Sequence, residues 1–155
     1  SDLLALSHFE TYGLPVQVTR CTNNFGPNQH TEKLIPKIIN RASKGESIPI
    51  YGDGSNIRDW LFVHDHCSAI IKVMGQNRFG EVFNIGSGDE KTNLQIVEKI
   101  LEKMEVTEDL IQFVEDRLGH DWRYSLDDRK IRSLGWKPKF SFERGLQLTI
   151  DNLRE

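Results

Sequence analysis

Long apolar runs are missing from this chain. Nothing in it approaches the roughly 20 residues that a membrane-spanning helix needs, and no stretch reads as a secretory signal. Cysteine is scarce. Cys21 and Cys67 lack zinc-site spacing and are too few for a disulfide framework, so both are expected to be buried thiols of a cytoplasmic protein. A surplus of positive charge is missing too. The formal net charge is −3, which argues against general affinity for nucleic acid and makes any anion site a local one. No phosphate-binding loop and no nucleophile elbow occur. Gly86-Ser87-Gly88 lacks the third glycine of a dinucleotide-binding turn, because Lys91 stands where it would fall, so the segment reads as the exit from a strand. His64-Asp65-His66-Cys67 resembles a metal cluster, but neighbours at a strand-to-helix junction point in different directions, and no metal is expected.

What is present describes an ordinary globular chain. Its 155 residues are 37% hydrophobic and 28% charged, enough for one domain with a real core. Leu3, Leu6 and Phe9 recur on one face of a helix over 1–11, and Gly13 and Pro15 end it. Strands are expected at 16–19, 48–51, 58–63, 82–85 and 111–114, and further helices at 34–44, 93–105, 127–134 and 142–153. The turn formers of 21–28 read as a loop at a strand's C-terminal end. Asp65 is expected to cap a helix running to about Met74. Helices alternating with short strands give an α/β fold.

Two features bear on chemistry. The pair Asn23-Asn24 lies where α/β proteins bind ligands, and each amide both donates and accepts, as a carboxamide or a phosphoryl oxygen requires. As a turn alone the pair is unremarkable. Arg58 stands just before the apolar run 60–63, after the turn Gly52-Asp53-Gly54-Ser55, and Arg117 lies in a second charged segment, 116–124. A guanidinium grips a phosphate through paired donors, and two would neutralise a diphosphate. Salt bridges to Asp59 or Asp116 are the alternative. The residues alone leave both open.

The blocks TRCTNNFGPNQHTEKLIPKII, IPIYGDGSNIRDWLFVHDH, VFNIGSGDEKTN, DRLGHDWRYSLD and LGWKPKFSFERG, in that order, resemble the dTDP-glucose 4,6-dehydratases of the extended short-chain dehydrogenase/reductase family. The resemblance runs through essentially the whole chain. It implies a Rossmann NAD-binding domain contributed by 1–25 and 63–87, and a small α/β domain for the sugar nucleotide from 26–62 and 88–155. It implies that Asn23 touches the substrate and Asn24 the NAD. Lys33 and Leu34 would line the nucleotide pocket, and Pro49, Ile50 and Tyr51 would pack around the thymine. Arg58 would hold the diphosphate, with Asn93 near the nucleotide. Asp116, Arg117, Leu118, Gly119 and His120 would close the pocket, Arg117 as a second phosphate ligand. Many members have proline where Leu118 stands.

The resemblance also implies an internal redox cycle on NAD, carried by a Tyr-x-x-x-Lys pair, an Asp-Glu pair and a glycine-rich NAD loop. No Tyr-x-x-x-Lys motif and no glycine-rich NAD loop is in this sequence, and Asp89-Glu90 and Asp127-Asp128 sit in the wrong blocks to be the acid/base pair. The chain is therefore expected to be the C-terminal portion of a longer enzyme, binding a dTDP-sugar without the catalytic groups and forming a homodimer when complete. The rival expectations are a UDP-sugar epimerase or decarboxylase of the same superfamily, and a non-catalytic nucleotide-sugar-binding module.

Overall fold

A computed structural model describes residues 1–154. The elements run α1 (Asp2–Tyr12), β1 (Val18–Cys21), β2 (Asn23–Phe25), α2 (Leu34–Ser43), β3 (Ile48–Tyr51), β4 (Ile57–Phe62), α3 (Val63–Met74) and β5 (Val82–Ile85). They continue with β6 (Glu90–Thr92), α4 (Asn93–Met104), β7 (Ile111–Val114), β8 (Arg123–Tyr124), α5 (Arg129–Ser133) and α6 (Phe142–Arg154). The fold is α/β, with parallel strand pairs separated by helices.

Strands β1 and β5 pair in parallel, as do β3 and β7. Strand β4 is the centre of the remaining sheet. Its C-terminal half pairs in parallel with β2, and its N-terminal half lies between antiparallel β6 and parallel β8. Side chains alternate across a strand, and β4 uses both faces. Trp60 and Phe62 enter a core with Ile35, Ile39, Ile100 and Leu146, whereas Leu61 enters a second core with Val73, Phe83, Ile85 and Ile131. Burying each such side chain stabilises the fold by about 1.5–3 kcal/mol. The two cores share β4 as their wall.

Local chemistry explains the elements. Thr92 and Gln95 form a reciprocal capping box at the start of α4. Pro36 falls in the first turn of α2, where no intrahelical amide bond is lost. Pro49 is tolerated in β3 because that strand pairs on one side only.

Three expectations are corrected. The loop expected over 21–28 contains a strand, because Asn23–Phe25 finds a partner in Trp60–Phe62. Asp65 does not cap its own helix, whose N-cap is Phe62. Its buried carboxylate instead accepts the amides of Lys139 and Phe140 at 2.9 and 3.0 Å, tying α3 to the segment before α6. Both cysteines are free, but neither is fully buried, and Cys67 is exposed. Among the described residues, no helix is long and apolar enough to cross a membrane.

Candidate functional site

The connection between β3 and β4 folds onto the start of α4. Gly54, at φ +73°, gives its carbonyl to the Leu94 amide, and Asn56 gives its carbonyl to the Asn93 amide. A Cβ at Gly54 would stand 2.8 Å from Ile50 Cγ2, so this close approach requires glycine. Asn93 is thereby set beside the end of β3 and its Tyr51. Two residues apart on β4, Arg58 and Trp60 share a face, and Trp60 is the register partner of Asn23 on β2. The start of α2 supplies Lys33, Leu34 and Lys37, and the segment after β7 supplies Arg117 and His120. Together these side chains wall a cleft of about 330 Å³.

The cleft is cationic although the chain is not. Lys33, Lys37, Arg58 and Arg117 line it, and none of them pairs with a carboxylate among the described residues. Glu32 is the acidic member of the lining, and it lies 3.8 Å from His30. Arg58 makes no salt bridge to Asp59 or Asp116, the alternative left open by the sequence. It donates to the backbone carbonyls of Ile57 and Asp121 at 2.7 and 2.8 Å. Buried Asp59 serves the hydroxyl and amide of Ser87 instead. Asp116 pairs with His120 Nδ1 at 2.7 Å and accepts the Arg117 amide at 2.8 Å. The hydrogen bond with His120 holds the Asp116 carboxyl below its ordinary range.

Most of the expected site residues meet at this cleft. Asn23, Lys33, Leu34, Tyr51, Arg58, Asn93, Arg117 and His120 border it. Pro49 and Ile50 line an adjoining apolar slot, which shares Leu34, Lys37, Tyr51 and Asn93 with the cleft. Asp116 is hydrogen-bonded to His120 but is not itself in the lining. Leu118 points fully into solvent, and Gly119 makes the turn beside it at φ +70°. Asn24 lies next to the cleft and donates to Cys21 Sγ and the Thr22 carbonyl, both at 3.1 Å. Its own Oδ1 is buried without a hydrogen-bond donor. Sequence reasoning missed Lys37 and Trp60. The spacing Lys33, Lys37, Arg41 on one helix face was the available signal for the first, and the i, i+2 relation to Arg58 for the second.

The family model described as GDP-mannose 4,6 dehydratase matches residues 1–149. The chain belongs to that family. The low-salt glycan biosynthesis protein Agl12 of Haloferax volcanii is 55% identical, over 97% of this chain and 49% of its own length. A dTDP-glucose 4,6-dehydratase of an Actinoplanes species is 50% identical, over 97% of this chain and 47% of its own length. The crystal structure of a Streptomyces venezuelae dTDP-glucose 4,6-dehydratase, solved with NAD bound, superposes with a TM-score of 0.95 at 45% identity. It covers 99% of this chain and 48% of that one. The chain thus spans about half the length of the curated relatives it matches, and corresponds to their C-terminal part.

Proposed function

We propose that this chain is the sugar-nucleotide-binding portion of an NAD-dependent dTDP-glucose 4,6-dehydratase, which forms dTDP-4-keto-6-deoxyglucose. The observation that carries this reading is the cleft itself. Four cations without carboxylate partners among the described residues converge in a chain of net charge −3, beside a slot walled by Pro49, Ile50 and Leu34. A nucleoside diphosphate has that shape: an apolar base joined to a compact double anion. Arg58 and Arg117 hold the diphosphate, Lys33 adds a point charge, and Tyr51 packs at the base. Asn23 meets the sugar end. His120, fixed by Asp116, closes the wall.

Residues 1–25 and 63–87, with the β1–β5 pair, belong to the NAD-binding domain in this reading, and 26–62 and 88–155 to the nucleotide-sugar domain. NAD supplies a hydride acceptor that returns what it takes. Asn24 fits a place beside it, because its buried Oδ1 lacks a donor that a carboxamide N–H can provide. General acid–base groups for the dehydration come from elsewhere in the complete protein, since this chain has no Tyr-x-x-x-Lys pair.

The test is turnover. The complete protein, given dTDP-glucose and NAD, is expected to release the 4-keto-6-deoxy product, and this chain alone to release none. Absence of product from the folded complete protein, or UDP-glucose bound in preference to dTDP-glucose, overturns the assignment.

A further inference from the structure

We infer that Lys37 is a specificity-determining residue that reads a keto oxygen of the nucleobase, so that the slot selects a pyrimidine-2,4-dione over an aminopyrimidine. The inference rests on the nucleotide reading above and adds a residue and a selection rule to it.

Lys37 occupies a junction. Arg58, Arg117 and Lys33 border the cleft but not the slot, whereas Pro49, Ile50 and Ile48 border the slot but not the cleft. Lys37 borders both. It is half-buried, and its side chain has neither an ion pair nor a hydrogen bond among the described residues. A diphosphate of charge about −2 is already matched by two guanidiniums in the cleft. That leaves the Lys37 ammonium free for the other end of the ligand.

The slot's lining gives that end its chemistry. Its apolar walls are Leu34, Ile38, Ile48, Pro49 and Ile50 with Tyr51 at one end, which suits the faces of a flat ring, so the ring's polar edge must find partners among Lys37, Arg41 and Asn93. Arg41 is tethered there through Nη1 to the Ser47 carbonyl at 2.6 Å. Asn93 offers one donor group and one acceptor. Among the described residues, no carboxylate lines the slot. An ammonium donates and cannot accept. A pyrimidine-2,4-dione presents two keto acceptors flanking one N–H, which complements a lysine beside an amide. Cytosine replaces one keto group by an amino group, and there a donor faces a donor. The resulting penalty is a specificity device, since a mismatched polar edge is left unpaired in an apolar slot.

The experiment titrates dTDP and dCDP, which carry the same diphosphate, into the complete protein as parent, Lys37→Met and Lys37→Gln. Melting curves confirm that each is folded. The parent is expected to prefer dTDP. Lys37→Met is expected to weaken dTDP about tenfold and to change dCDP less than about twofold, so that discrimination collapses. Lys37→Gln keeps an N–H donor and is expected to recover part of the dTDP affinity. Equal weakening of both nucleotides makes Lys37 a phosphate ligand and overturns the inference, as does unchanged dTDP affinity in the folded variants. Failure of the parent to bind dTDP overturns the proposed function as well. Tight dTDP binding by the parent, with the wrong pattern at Lys37, removes this inference alone.

Discussion

Arg58 donates through Nη2 to the carbonyl of Asp121 at 2.8 Å, so a residue of the cleft wall also holds the segment that closes it. The Asn56 side chain donates through Nδ2 to the same carbonyl at 3.3 Å, and the Ile57 backbone amide donates to the Trp122 carbonyl at 2.8 Å. The start of β4 is therefore zipped to residues 121 and 122. A guanidinium has five N–H donors, and among the described residues Arg58 donates to two backbone carbonyls. The remaining donors are what a phosphate would use.

Arg58→Ala in the complete protein is accordingly expected to weaken dTDP by roughly ten- to a hundredfold, from about 1.5–3 kcal/mol for a charge-assisted bond. Arg58→Lys should restore only part, because lysine keeps the charge and loses the planar fork. Thymidine, which lacks phosphate, should be nearly indifferent to both changes. Calorimetric titration of dTDP and thymidine decides the matter. Equal losses for the two ligands would mean that the Asp121 tether, and not a phosphate contact, is what Arg58 provides.

Asp65 offers a test of the fold beneath the site. Its carboxylate is 2% exposed and accepts two backbone amides, so Asp65→Ala leaves two buried donors unpaired. The expected cost is about 2–4 kcal/mol of unfolding free energy. Asp65→Asn keeps one acceptor and should lose less. Chemical denaturation of both variants measures it, and a loss under about 0.5 kcal/mol in Asp65→Ala would show that water replaces the carboxylate.

The amphipathic helices α2, α4 and α6 and the strands β3, β5 and β7 were legible from their apolar and β-branched residues, although β7 turns out to be only partly covered. The short polar strands were not. Glu90–Thr92 and Arg123–Tyr124 have no apolar alternation, and they are strands because β4 lies between them and because Arg123 pairs with Glu90 at 2.6 Å. Asn23–Phe25 reads as a turn for the same reason: its strand character comes from Trp60–Phe62, far away in sequence. Of the site, Arg58 was visible as a charge intruding on an apolar run, and Lys33, Asn93 and His120 only through resemblance. Nothing in the sequence singled out Lys37. Only the packing of α2 against β3 puts it between the cleft and the slot.

His66 makes stability depend on pH. Burial lowers its pKa from the ordinary histidine value. As pH falls through about 6.5, the unfolded chain takes up a proton that the folded one resists, so folding loses stability until the lowered folded value is passed. Thermal melts between about pH 7.5 and 5.5 should show the midpoint falling, and His66→Gln should flatten that fall. An identical slope in parent and variant would assign the dependence to other groups.

Helix α1 bears on assembly. It buries none of its residues: Leu3 is 85% exposed, Leu4 64% and Tyr12 76%, while Leu6 and Phe9 are half-covered on the side facing the body. The β1–β5 pair beside it has two open edges. An apolar ridge next to unpaired strand edges is a surface that prefers to be covered. The chain on its own is therefore expected to self-associate, and the complete protein to form a defined homodimer that uses this helix. Burying a leucine contributes about 1.5–3 kcal/mol, so Leu3→Glu with Leu4→Glu should weaken association at least about tenfold. Both side chains are exposed, and the melting temperature of the monomer should hardly move. Sedimentation velocity over a dilution series separates the outcomes. A parent chain that stays monomeric at every concentration, or a double variant that associates as tightly as the parent, would show that α1 is not the contact.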